Sequence, residues 1–427
     1  MDQVAKIISI YAADVSGAAS ALFELGGMTV IHDPSGCNST YNTHDETRWY
    51  NTDSLIFISA LTQHDAVMGN DKKFIDDVES AAREFNPEFI CLCGTPVPFM
   101  MGTDFKALAR KIEKDTGIVT FSADTNNMHA YFQGAGQALA QIARRIVLNP
   151  DKNEAPDGAP SDNPPCAKTP SIPINILGVT PLDFSANGSH KSVVDALESR
   201  GFEVISSWAM DSTLDDIKRS ASARANLVVS TTGLYPAKVL EERFGTPYVV
   251  CLPLGEEGAD EAAQMLRDAA EHPGGSSLHN SNQPIPCELA SGNDAGLHKT
   301  ARGDTPAAAS PTVTLIGEAV ANVSIANALE ASAARGGKPV STRVISPLDT
   351  PEELLRPGDV REEDEDRIVP LLADTEVIIA DPMYRPICPD GARFVALPHE
   401  GFSGRIYRNE IPDLVKDGII GLNRNIM

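Results

Sequence analysis

Short apolar runs rich in β-branched residues alternate along this chain with stretches whose apolar positions recur at helical spacing, a pattern that predicts strands alternating with amphipathic helices. Three units repeat it, each opening with an apolar strand, a small-residue turn and a helix: KIISI from Lys6, INILGV from Ile174 and VTLIGE from Val313. In the first unit the spacing of Phe74, Ile75, Val78, Ala82 and Phe85 predicts a helix, and Pro87 introduces a strand from Phe89 to Cys93. A further helix buries Phe105, Leu108 and Ile112, stops at Gly117 and leads into a strand from Ile118 to Phe121. The second unit adds strands at Phe202–Ile205, Leu227–Val229 and Tyr248–Leu252, with helices around Leu197, Ile217 and Leu240. The third adds Val377–Ile379 and Arg393–Leu397.

Strands separated by helices imply parallel sheets with both faces covered. The expected fold is therefore α/β: three Rossmann-like domains, their parallel sheets flanked by helices, around a central cleft. Two stretches rich in Pro, Gly, Ser, Asp and Asn, Asn149–Pro173 and roughly Glu271–Pro311, lack apolar periodicity and read as linkers or surface insertions. They divide the chain into an N-terminal domain (1–150), a linker (151–171), a middle domain (172–270), a linker or insertion (271–310) and a C-terminal domain (311–427). In parallel sheets ligands sit beyond the carboxyl ends of strands, where Cys37, Cys93, Ser230, Cys251, Asp381 and His399 fall.

The stretch from Thr29 to Trp49 carries the densest chemistry. A β-branched run ends in a turn of Asp33, Pro34, Ser35 and Gly36 that presents Cys37, with His32, Tyr41, His44, Asp45, Arg48 and Trp49 close in sequence. The pattern suits a ligand-presenting turn, while Cys37 taken alone reads as a reduced structural thiol at a strand end. Seven cysteines in a long chain do not form a disulfide framework, so thiols are free for metal or redox chemistry. A net charge of -24 argues against a nucleic-acid partner, and the absence of a long apolar run or signal pattern predicts a cytoplasmic protein without a membrane span. No GxxxxGK[ST], HExxH or GxSxG occurs, and Gly134-Ala135-Gly136 lies in a helical run, so nucleotide, zinc-protease and serine-hydrolase chemistry lack a motif.

Taken in order, Ser16-Gly17-Ala18, the HDPSGC ending at Cys37, SALTQHDAVMGNDKKF from Ser59 and NPEFICLCGTPVPFMMGTDF from Asn86 resemble the component 1 family of nitrogenase-like oxidoreductases. LEERFGTPYVVCLPLG from Leu240, EVIIADPMYR and FVALPHEGFSGRIY extend the resemblance over nearly the whole chain apart from the linkers. It implies three similar αβ domains, a homo- or hetero-dimer with a component 1-like subunit, and an iron–sulfur cluster at the subunit interface. It also implies a separate ATP-dependent iron–sulfur reductase as electron donor. Cys37 matches the family's cluster cysteine, and a thiolate is the ligand such a cluster needs.

Departures from the family pattern change what the resemblance implies. Ala13 and Asp14 stand where the family often has cysteine, making Asp14 a candidate oxygen ligand, and another family cysteine falls on Pro96, leaving Cys91 or Cys93 as displaced substitutes. Ser230 occupies the position of the thiolate that holds an iron–molybdenum type cofactor, so that cofactor is not expected. A small organic or tetrapyrrole-like substrate is expected between the domains instead, contacted by Ser230, Asp381 and Arg405, with His399 as proton donor. A scaffold for metallocluster or tetrapyrrole assembly, and a cluster-free binding protein, are the alternatives to an oxidoreductase.

Overall fold

The computed structural model describes residues 6–11, 13–34, 46–49, 52–149, 171–272, 277–278, 313–336 and 339–422. Cys37, with the rest of 35–45, lies outside the described residues, as do Cys166, Cys287 and most of both predicted linkers. The described chain forms three separate sheets, and every strand pairing in them is parallel.

The first sheet contains β1 (Met28–His32), β2 (Leu55–Ile58), β3 (Ile90–Gly94) and β4 (Thr120–Ala123), in the order β2-β1-β3-β4. Alternation on β1 and β3 explains its two covered faces. Met28, Val30, Ile90 and Leu92 pack with Phe74, Val78, Leu108 and Ile112 from the helices Asp71–Phe85 and Phe105–Thr116. Ile31, Cys91 and Cys93 belong to the core that includes the helices Asp14–Ala21 and Tyr131–Arg145. Those two helices cross backbone to backbone, because Gly17 lies against the carbonyl of Tyr131 and Gly134 against that of Asp14.

The second sheet is β6-β5-β7-β8-β9, built from β5 (Ile172–Leu177), β6 (Phe202–Trp208), β7 (Ala225–Val228), β8 (Tyr248–Val250) and β9 (Ser277–Leu278). The third is β12-β11-β10-β13-β14, from β10 (Val313–Ile316), β11 (Thr342–Ser346), β12 (Val360–Arg361), β13 (Val377–Ala380) and β14 (Arg393–Ala396). In both, the chain order reverses about the first strand, so a crevice opens at the carboxyl ends of β5 and β7 and of β10 and β13.

One predicted strand is absent. Residues 6–11 run without strand pairing, and their polar backbone is satisfied elsewhere: the amides of Lys6 and Ile7 donate to the Glu365 carboxylate, and that of Tyr11 to the carbonyl of Gly401. The segment thus ties the first helix to the third sheet's surroundings. Conversely, β2 and β11 form from short runs that the periodicity passed over, and β5 and β9 reach into the stretches read as linkers. Among the described residues, no helix is long and apolar enough to cross a membrane.

Candidate functional site

The turns that follow strands in the second and third sheets converge on one cavity of ≈ 80 Å³. After β5 come Asp183 and Phe184, after β7 Val229 and Ser230, after β10 Gly317 and Glu318, after β13 Asp381, and after β14 Pro398 and His399. Ser230, Asp381 and His399, expected to face a common space, do so. No residue of the first sheet joins them among the described residues, so the expectation of a space shared by all three units is corrected to one shared by two. Arg405 is also corrected: the 3-10 turn Gly404–Ile406 leaves it exposed and outside the cavity lining.

Local sequence explains how each group is held. Gly178 and Gly233 let the helix Thr231–Phe244 start directly against the end of β5, since a Cβ at Gly233 would lie 2.2 Å from the carbonyl of Leu177. At the head of that helix the Ser230 hydroxyl donates to the Gly178 carbonyl at 2.6 Å. Asp381 accepts from the amides of Met383 (2.9 Å) and His399 (2.8 Å) and from the Ser403 hydroxyl (2.8 Å), which joins the ends of β13 and β14. Burial raises the Asp381 carboxyl above its ordinary range, against the pull of these donors.

Glu318 accepts from the Thr231 amide at 2.9 Å, the Thr231 hydroxyl at 2.5 Å and the Ala321 amide at 2.8 Å. One carboxylate therefore caps two helices, Thr231–Phe244 and Ala319–Arg335, and joins the second sheet to the third. Asp183 accepts from Thr180 at 2.7 Å and makes a short contact with the Tyr11 hydroxyl. Tyr11 is buried, and its ring lies 5.7 Å from that of His399 and 5.2 Å from Phe402. Tyr11, Asp183 and Glu318 were not singled out from the sequence.

His399 is half-buried, its Nδ1 accepts from the Gly401 amide at 3.1 Å, and desolvation lowers its pKa to about 4. Burial disfavours the imidazolium form that the expected proton-donor role would draw on. Because the folded form binds this proton less readily than the unfolded chain, its stabilising contribution is present above about pH 6.5 and is lost as pH falls toward 4. We expect His399→Gln to flatten the acid limb of a denaturation-midpoint curve in that window, by at most about 3 kcal/mol. An acid limb identical to that of the wild type would contradict this.

The candidate metal ligands lie elsewhere. Cys91 and Cys93 project from one face of a regular strand, with their sulfurs 3.9 Å apart and both fully buried; no bend is needed to bring them together. The hydrogen bond with Cys91, followed by burial, pushes the Cys93 thiol well above its usual range. Asp14 is buried and accepts from the amides of Asn126 (3.1 Å) and Asn127 (2.7 Å). A core thiol pair and a carboxylate engaged by backbone amides do not fit an iron–sulfur cluster. No group of three or more His, Cys, Asp or Glu able to hold a metal ion is present among the described residues.

The family model described as "Nitrogenase component 1 type Oxidoreductase" matches residues 14–327, well over half of the chain. The chain is similar to a nitrogenase molybdenum-iron protein alpha chain of Methanosarcina barkeri, 24% identical over 57% of this chain and 43% of that protein. It is also similar to a nitrogenase iron-molybdenum cofactor biosynthesis protein NifE of the same organism, 25% identical over 62% of this chain and 57% of that one. A third relative belongs to the light-independent protochlorophyllide reductase of Nostoc punctiforme, 26% identical over 49% of this chain and 39% of that one. The chain spans about half the length of the curated relatives it matches.

Proposed function

We propose, on the premise that this chain belongs to the nitrogenase component 1 type oxidoreductase family, that it reduces a small molecule held in the cavity between its second and third sheets. Electrons come from a separate ATP-dependent iron–sulfur reductase, and the chain works as a homo- or hetero-dimer with a component 1-like subunit. An iron–sulfur cluster at the subunit interface, with Cys37 as this chain's ligand, supplies one-electron transfer when bound. Cys91, Cys93 and Asp14 are left out of that ligand set because their partners are internal. The same reading assigns one sheet to each of the domains 1–150, 172–270 and 311–427, with β9 of the second sheet lying beyond residue 270.

The observation that carries the reading is the convergence of Ser230, Asp381 and His399, from three strand ends in two sheets, on one cavity. Its size bears on the occupant: ≈ 80 Å³ is well below the roughly 300–1,000 Å³ of pockets that enclose drug-sized or cofactor-sized ligands. A tetrapyrrole or metallocluster would have to widen that space to enter it, which favours a smaller occupant over a scaffold's cargo. Serine at Ser230, its hydroxyl given to the Gly178 carbonyl, offers no thiolate to an iron–molybdenum type cofactor.

The reading is tested by mixing anaerobically purified protein with an ATP-dependent iron–sulfur reductase of this family and following the visible spectrum. We expect reduction that requires ATP, and no molybdenum in the protein. Iron-loaded protein that accepts no electrons with ATP present would reject the oxidoreductase in favour of a binding role.

A further inference from the structure

The cavity presents two neighbouring carboxylates in unlike surroundings. Glu318 is braced as an anion: two of its three donors are backbone amides in the first turns of helices, where the helix dipole favours negative charge. Asp183 instead meets hydroxyl groups, those of Tyr11, Thr180 and, at 3.5 Å, Thr232. A hydroxyl can donate to a carboxylate or accept from a carboxylic acid, so this shell serves both protonation states of Asp183 without rearrangement. Adjacent threonines couple the two acids, Thr231 bonding Glu318 and Thr232 facing Asp183.

We propose that Asp183 is the proton-holding acid of the cavity, a neutral carboxyl that supplies a proton to a base bound beside Ser230 and Glu318. In that step the Asp183 O–H bond breaks, the base gains the proton, and the carboxylate left behind accepts hydrogen bonds from Tyr11 and Thr180; bulk water later returns the proton. Two acids whose environments differ in this way divide the roles of fixed charge and proton donor. The inference rests on the reading of this cavity as the substrate site.

The charged and titratable groups around Asp183 are consistent with it. Tyr11 faces it from the N-terminal segment and Glu318 from the head of the helix Ala319–Arg335, and the Tyr131 ring lies 6.0 Å from that of Tyr11. His399, its ring tilted 35° to that of Tyr11, is held toward the neutral form by burial, and among the described residues no lysine or arginine lines the cavity. Burial, then the charge of Glu318, raises the Asp183 carboxyl to about 7, opposed by the hydroxyl bonds from Tyr11 and Thr180.

The test is an infrared pH titration of the full chain carrying aspartate labelled with carbon-13 at the side-chain carboxyl, in wild type, Asp183→Asn, Glu318→Gln and Tyr11→Phe. We expect a neutral-carboxyl band that disappears with a midpoint near 7 in the wild type and is missing in Asp183→Asn. The midpoint should fall in Glu318→Gln, which removes the neighbouring charge, and rise in Tyr11→Phe, which removes a donor to the carboxylate. A wild-type protein with no aspartic carboxyl titrating between about pH 5 and about pH 9 would overturn the proposal. So would a band with that midpoint whose amplitude is unchanged in Asp183→Asn, since Asp381, the other aspartate of the cavity raised by burial, would then account for all of it. Should Glu318→Gln fail to fold, the direction of the Tyr11→Phe shift decides. None of these readouts requires iron or a reductase. A missing titration in protein that accepts electrons therefore removes Asp183 alone, whereas a normal titration in protein that accepts none removes the oxidoreductase reading.

Discussion

Replacing Gly134 with alanine should abolish the stable fold of the first unit. A Cβ there would lie 1.8 Å from the backbone carbonyl oxygen of Asp14 and 2.4 Å from its carbon, distances that no side-chain rotation relieves because both sides of the contact are main chain. The neighbouring crossing is reciprocal, with a Cβ at Gly17 lying 1.8 Å from the carbonyl of Tyr131. To admit a methyl group, the helices Asp14–Ala21 and Tyr131–Arg145 would have to separate. Helix Asp14–Ala21 is buried along its whole length, so separation would open the core formed by Val15, Ala18, Tyr131, Phe132 and Ala135. Overpacking ordinarily costs about 1–3 kcal/mol, and a main-chain clash of this depth belongs with the exceptional losses above about 4 kcal/mol. Gly391→Ala, at a position with open space around it, serves as the control and should change stability by less than about 0.5 kcal/mol. Equal denaturation midpoints for the two variants would show that the crossing is more yielding than this.

The second large effect is expected at Arg48. Its guanidinium pairs with Glu46 and with Glu24, each at 2.8 Å, and donates to the carbonyl of Ser20 at 2.7 Å. Glu46 also accepts from Ser20, which in turn accepts from the Tyr131 hydroxyl. The Glu46 side chain is 1% exposed, so Arg48→Met leaves a buried carboxylate without its cation. Breaking a buried pair from one side costs roughly 3–5 kcal/mol, and the double variant Arg48→Met with Glu46→Gln should recover part of that loss because no charge is then stranded. Denaturant titration of the two single variants and the double variant measures the coupling, and strictly additive losses would argue against it. Glu46 is the first described residue after Pro34.

How legible each feature was in the sequence follows from its physics. Runs such as Val313–Ile316 and Phe89–Cys93 are legible because a strand buried on both faces must be apolar throughout. β2 and β11 escaped because their burial is partial at several positions, and a half-buried run flanked by polar residues carries little periodicity. KIISI at Lys6 misled for the opposite reason. It has strand composition, yet its amides find the Glu365 carboxylate and no neighbouring strand.

At the site, the rule that ligands gather beyond strand ends points to Ser230, Asp381 and His399 but not by itself to Asp183, in the short helix after β5, or Glu318, at the helix cap after β10. A single carboxylate in such a turn reads as a helix cap, and Glu318 is indeed one, for two helices at once. That double use depends on two units docking and leaves no local signal. Arg405 shows the converse error, since closeness to His399 in sequence says nothing about which way a 3-10 turn points its side chain.

The most direct measurement is the iron and acid-labile sulfide content of protein prepared without oxygen, as wild type and as Cys37→Ala. Cys37 lies outside the described residues, and the candidate ligands that are described, Cys91, Cys93 and Asp14, are satisfied internally, so the proposed cluster depends on that one thiolate from this chain. The expected result is iron and sulfide in comparable amounts in the wild type, with an iron–sulfur spectrum, and loss of most of both in Cys37→Ala with the fold retained. Wild-type protein free of iron, or Cys37→Ala with unchanged iron and spectrum, would contradict the account.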